Sequence, residues 1–402
     1  MAISSARQFD PNIAFFVPAD AAFPGVAANL ATLRSLLIEL DRTEVIFTAA
    51  RLNLIVSDQT SNDSPDMHWS LRHQNAQSAA ALSFFTEEQV NRIDAFIKGN
   101  RAGPGNWQLF FRRQLLELIR WACVFCSERP DLPGMAADSQ LRERFAQAAL
   151  IASELWDRRV YKGRFSGPED LENKRFALLG PFRQAQAETG LGADLPRAFV
   201  RGKSLISEHL AAECSDFAEL FRSKTGISLD QYYTCLLMVL VQSLGFTSPP
   251  GTPRVQVVRD FNVQRFCDDL PDVREAFCRF ISCESQTASD MQVALQNTDR
   301  FQDENQPYDL NVIRRRPIFV GSTGRAIVID PVFLAEKACV GPLFHVRQNR
   351  VFDAFGLAVE RYGQGILRAM YPSIGSGLLY ERLRCPLSRL RKNPAKDDCG
   401  EG

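Results

Sequence analysis

Histidine is scarce. The 402 residues hold four, His68, His73, His209 and His345. At that spacing the sequence signals neither a hydrolase triad nor a histidine-rich metal site, which needs three or four converging ligands. Several motifs are missing outright: G-x-S-x-G, the Walker A loop, G-x-G-x-x-G and H-E-x-x-H. No run approaches the roughly 18 apolar residues of a membrane span. The longest, Cys235–Val241, reads as a buried helix face. Net charge is missing too, with 47 basic residues against 47 acidic. A nucleic-acid role must then come from a local patch, because binders of that kind carry an electropositive footprint. The first residues have no basic stretch followed by an apolar one, so no secretory signal is expected. The ten cysteines lack the regular framework of a disulfide scaffold. These absences together predict a cytoplasmic chain with no membrane partner, no metal site and no cofactor.

What is present is ordinary for a globular protein: 45% hydrophobic and 23% charged residues. The patterning predicts a mainly α chain, with a multi-helix N-terminal domain and a small α+β C-terminal module, a β-hairpin plus helices. The lead-in covers 1–26 and is broken by Pro11, Pro18 and Pro24. A helical domain follows over 27–245. The segment 246–256, rich in proline and glycine, reads as a linker. The module occupies 257–402.

Helix starts are marked by capping residues. Asp41 and Glu44, Thr86 and Gln89, and Ser228 and Gln231 each have the spacing of a capping box. Leu30, Leu33, Leu37 and Leu40 recur at helical spacing. In the helix that follows, Arg51 and Asn53 are read as solvent-facing or capping. Leu115, Leu118, Ala122 and Phe125 share a face of the most apolar helix, together with Phe111. Phe145, Ala149, Ala152 and Trp156 line another. Residues 208–226 are expected to form one helix ending at Gly226. Cys123 and Cys126 are formally a C-x-x-C pair. They sit inside an apolar helix with no second pair at zinc spacing, so core packing is the expected role. Pro168-Glu-Asp170 and Glu172-Asn-Lys174 have nuclease-like letters but fall within one helix start, where acids suit the macrodipole.

The most legible stretch runs from Ile313 to Tyr371. Two β-branched runs flank Gly321-Ser-Thr-Gly324, which predicts a hairpin turn in preference to a phosphate cradle. Asp330-Pro331 then opens a helix. In the next helix Phe352, Phe355, Val359, Tyr362 and Ile366 form the expected apolar side, with Glu360 beside it.

The segments "RRPIF…GRAIVIDPVFLAEKA" and "FGLAVERYG" resemble uncharacterised bacterial proteins. Those proteins join a helical N-terminal region to a restriction-endonuclease-like, PD-(D/E)xK, C-terminal domain. The resemblance covers about the last quarter of the chain. It implies a Gly-x-x-x-Glu pattern at Gly356 and Glu360, with Glu360 near a Mg²⁺ ion. Such a nuclease also needs an Asp and then an acidic-x-Lys strand. After Glu360 the acids are Glu381, Asp397, Asp398 and Glu401, and no acidic-x-Lys follows. The expectation is therefore a truncated relative: a non-catalytic helical scaffold, companion to a defence-type nuclease, with a protein partner. The alternative is a Mg²⁺-dependent DNA endonuclease whose remaining acids lie outside this chain. Arg382, Arg384, Arg389, Arg391 and Lys392 form a basic cluster that could meet DNA phosphates, though a solvated tail is the plainer reading.

Overall fold

The computed structural model describes residues 14–58, 81–99, 106–110, 112–162, 195–247, 255–296 and 311–370. It is mainly helical, with a four-stranded sheet and two two-stranded ones. The chain begins with β1 (Ala14–Phe16), α1 (Ala19–Ala22), α2 (Leu30–Ile38), α3 (Arg42–Asp58) and α4 (Glu87–Gly99). It continues with β2 (Asn106–Gln108), α5 (Arg112–Phe125), α6 (Ser139–Lys162) and α7 (Leu195–Ser204). Then come α8 (Phe217–Thr225), α9 (Leu229–Ser243), β3 (Leu244–Thr247), β4 (Val255–Val258) and β5 (Asp260–Asn262). The last part holds α10 (Val263–Asp269), α11 (Arg274–Glu284), β6 (Ser285–Gln286), α12 (Ala288–Gln296), α13 (Asn311–Arg315), β7 (Ile318–Val320), β8 (Arg325–Val328), α14 (Pro331–Val346) and α15 (Asn349–Met370).

Two of the three capping boxes close as their spacing requires. Thr86 and Gln89 bond each other's backbone N–H reciprocally, and so do Ser228 and Gln231. Asp41 caps α3 by accepting from Glu44 N at 2.8 Å. The Glu44 carboxylate does not close the box; it pairs with Arg325. Gly226 ends α8 in the left-handed region at φ 75°.

The four-stranded sheet, ordered β5-β8-β7-β6, separates two hydrophobic cores. Strand periodicity makes this possible, since successive side chains point to opposite faces. Phe319 pairs with Ile327, and both belong to the first core with α2, α3, α5 and α6. Ile318 pairs with Val328, and both belong to the second core with α8, α9, α11 and α14. The hairpin is thus buried on both sides. Its turn follows the expected chemistry: Gly324 N donates to Gly321 O, and Gly324 takes φ 75°. The exposed Ser322 N–H donates to the Glu128 carboxylate at 3.1 Å. The anion at this turn is thus a carboxylate of the chain itself.

Several expectations are revised. From Ala14 the lead-in packs: β1 runs parallel to β2, and Val17, Ala19 and Ala22 are fully buried. Residues flanking 248–254 form an antiparallel pair, β3 with β4. Helices from 205 to 240 share their core with residues 261–358. The single helix expected over 208–226 is broken at Cys214, whose φ −140° and ψ 84° are not helical. Before the break, Leu205–Leu210 forms a π-helical turn against which α15 packs. Asn53 is 1% exposed, not solvent-facing. The packed side of α15 is Val351, Ala354 and Ala358, with Phe355 and Tyr362 half-buried, whereas Phe352, Val359 and Ile366 face outward. The buried positions are Val351, Ala354 and Ala358, and Tyr362 meets His209 of the π turn edge-on. Phe111, the side chain of Trp156, His68, His73, the 168–174 segment and the basic cluster from Arg382 to Lys392 lie outside the described residues.

Helix α7 crosses α14 closely at Gly202. A Cβ there would stand 2.8 Å from Cys339 N and 2.9 Å from Ala338 C. Both are backbone atoms of a packed helix and cannot swing away. Gly202→Ala is expected to lower stability by roughly 1–3 kcal/mol despite alanine's better helix propensity. The urea midpoint measures it; an unchanged or raised midpoint would refute the contact.

Candidate functional site

Polar side chains are concentrated where the second core meets α14. Glu284, the last residue of α11, is fully buried between α9 and α14. Its Oε1 accepts from the Tyr232 hydroxyl at 2.7 Å and lies 2.7 Å from His345 Nε2. Its Oε2 lies 2.9 Å from Lys337 Nζ. Lys337 is itself 1% exposed and also donates to the Arg315 carbonyl at 2.5 Å. Burial alone would push the Glu284 carboxyl up; Lys337 and His345 outweigh that and hold it down at about 2. Tyr232 moves the other way: burial, reinforced by the Glu284 charge, raises its phenol well above the ordinary value. It stays a neutral donor.

Two residues of α14 make room for this cluster. A Cβ at Gly341 would lie 2.1 Å from the Tyr232 hydroxyl oxygen, so only glycine lets that hydroxyl reach Glu284. Pro342 has no N–H for the Ala338 carbonyl one turn back. The Tyr233 hydroxyl supplies the missing donor at 3.1 Å. The consecutive tyrosines of α9 thus fit the consecutive glycine and proline of α14. His345 stands edge-on to Phe221 and Tyr232 and is the most exposed member, at 21% of its side chain.

A second cluster ties α14 to the first core. Asp330 is fully buried and caps α14, its Oδ1 accepting from Val332 N at 2.8 Å and Phe333 N at 3.2 Å. Its Oδ2 accepts from Asn53 Nδ2 and from Arg112 Nε, each at 2.9 Å. The Arg112 guanidinium also lies over the Phe333 ring, 4.9 Å from its centroid. Nearby, Glu117 and Arg120 pair at 2.8 Å inside α5. This helix therefore buries charge as well as its expected apolar face.

A cleft of about 520 Å³ opens between α1, α4 and α6, beside Phe23, Gln89, Arg92, Glu143 and Arg144. Among its polar groups, Gln89 donates to Glu143 at 2.8 Å, and Arg144 meets Glu39 at 2.7 Å. Cys123 in α5 and Cys126 just past its end are both buried, and Cys123 Sγ touches Met291 Sδ at 3.2 Å. Burial raises the Cys123 thiol to about 12, and Cys126 also rises. Thiols so resistant to ionisation suit core packing and not metal ligation.

Glu360 is exposed on α15 and accepts from Gln364 at 3.3 Å. Its neighbour Arg361 pairs with Glu213. A Cβ at Gly356 would meet nothing, so the structure gives no packing reason for glycine there. Among the described residues no group of three or more His, Cys, Asp or Glu side chains is placed to hold a metal ion. Among them, too, no helix is long and apolar enough to cross a membrane.

Glu360 stands in a sequence pattern, whereas no motif announces Glu284, Lys337 or Arg112, or the buried roles of Asn53 and Asp330. One signal was available: Lys337 interrupts a strongly apolar helix, and a cation there requires a buried partner. No protein-family model, curated protein or solved structure matches the chain.

Proposed function

We propose that the chain is a non-catalytic helical scaffold that offers α15 to a protein partner, as companion or relative of a defence-type nuclease. One observation carries this reading. Phe352, Val359 and Ile366 recur every seven residues along α15 and are 43%, 43% and 41% exposed. The opposite side of the same helix is packed. An apolar stripe at that spacing is what helix-in-groove and helix-to-helix docking use. The buried carboxylates of the two polar clusters are matched by cations and donors inside the fold, which suits a structural role. Glu360 lies beside the stripe, where a bound partner would cover it.

The nuclease alternative supplies the test. The purified chain is expected to leave duplex DNA intact with Mg²⁺. In the same preparation, an apolar dye that brightens on hydrophobic surface should bind, and Phe352→Glu with Ile366→Glu should remove most of that signal while leaving the far-ultraviolet circular dichroism unchanged. DNA cleavage that Glu360→Ala abolishes would replace the scaffold reading with an enzymatic one. Dye binding indifferent to the two substitutions would remove the docking surface.

A further inference from the structure

Helices α10 and α11 connect the two edge strands of the four-stranded sheet. Helix α10 leaves β5 directly, and α11 runs directly into β6. Midway along this crossover, Cys267 on α10 and Cys278 on α11 bring their sulfur atoms to 3.2 Å. Cys267 is 2% exposed, while Cys278 is open to solvent. A disulfide needs about 2.05 Å between sulfurs. The remaining approach is on the order of 1 Å, within reach of side-chain rotation. The two thiols differ in access as an attacked and a resolving cysteine must. Packing accounts for Cys267 but not for an exposed Cys278, since free cysteine is chiefly a buried residue. The C-x-x-C of α5 lacks this asymmetry, with both its thiols buried.

We propose that Cys267 and Cys278 form a redox-responsive dithiol that closes to a disulfide on meeting a small-molecule disulfide, stapling the crossover between the sheet's edge strands. The exposed Cys278 thiolate attacks one sulfur of the oxidant, forming a mixed disulfide and releasing the first small thiol. Cys267 gives its proton to solvent, and its sulfur attacks Cys278 Sγ, releasing the second. The protein dithiol loses two electrons and two protons, and one small disulfide becomes two thiols. Arg274 and Asp268 lie beside the pair, both exposed and 3.8 Å apart, and Cys278 is the member open to solvent.

Trypsin makes the product directly readable, because Arg274 separates the two cysteines. The native chain is treated with oxidised glutathione, alkylated and digested without reduction. Peptides Phe266–Arg274 and Glu275–Arg279 are expected joined as one species that dithiothreitol splits. Cys267→Ala should stop at a glutathione adduct on Cys278, and Cys278→Ser should leave Cys267 free. The inference is overturned if the wild-type chain gives stable glutathionylated Cys278 with no joined peptide. It is equally overturned if joining appears only after denaturation, or if Cys278 joins Cys283 instead.

Discussion

Glu284→Ala is expected to lower the unfolding free energy by roughly 3–5 kcal/mol, the cost of breaking a buried ion pair from one side. The loss is large because three groups are stranded at once. Lys337 remains in the core with the Arg315 carbonyl as acceptor, and the Tyr232 hydroxyl and His345 Nε2 lose the oxygen between them. Glu284→Gln keeps the shape and removes the charge, so it should fall between wild type and alanine. Glu284→Gln combined with Lys337→Met should regain much of the loss, because removing both charges spares the desolvation of each. Urea denaturation with a double-mutant cycle measures all of this; additive effects would mean that the two side chains are not coupled.

The same carboxylate fixes the direction of the pH response. Its folded value of about 2 lies below the ordinary 4.5. The stabilisation is therefore fully present above about pH 4.5 and fades as pH falls toward 2. Glu284→Gln should flatten stability against pH across that window by close to one proton's worth of slope. An unchanged slope would assign acid sensitivity elsewhere.

Asp330→Ala is expected to cost a similar roughly 3–5 kcal/mol, by a different route. Asp330 is at once the cap of α14 and the counter-charge of Arg112. Removing it leaves the first N–H groups of α14 without their side-chain acceptor, a loss of roughly 1 kcal/mol by itself. It also removes a buried carboxylate from the Arg112 guanidinium. Asp330→Asn separates the two roles: it can keep the cap oxygen, but its amide has no negative charge for Arg112. A midpoint for Asp330→Asn equal to wild type would show that the cap, and not the ion pair, carries the energy. Both variants are read by chemical denaturation.

What could be read from the sequence was local. The capping boxes at Thr86 and Ser228, the hairpin turn at Gly321–Gly324 and the start of α14 at Asp330-Pro331 all depend on contacts within a few residues. The mainly α class with a small sheet follows from the same kind of signal. The clusters depend on pairings that sequence spacing does not announce. Asn53 and Asp330 are 277 residues apart, and Arg112 and Asp330 are 218 apart. Asn53 looked like a surface residue because polarity alone is a guide to solvent only when no partner waits inside. Strand β6, a mere Ser285-Gln286, has no β-branched residue to signal it; its place is set by parallel pairing to β7. On α15 the spacing of the large apolar residues predicts that they form the packed side. Val351, Ala354 and Ala358 are buried instead, with Phe355 and Tyr362 half-buried beside them, and Phe352, Val359 and Ile366 are left for another surface.

The fit of Tyr232 and Tyr233 against Gly341 and Pro342 restricts how this chain can change over time. A side chain at 341 is tolerable only after the hydroxyl at 232 has gone, and losing that hydroxyl takes one donor from Glu284. Replacing Pro342 restores a helix N–H and frees Tyr233, whereas losing Tyr233 first orphans the Ala338 carbonyl. These four positions are therefore coupled: the cost of changing one depends on what stands at its partner.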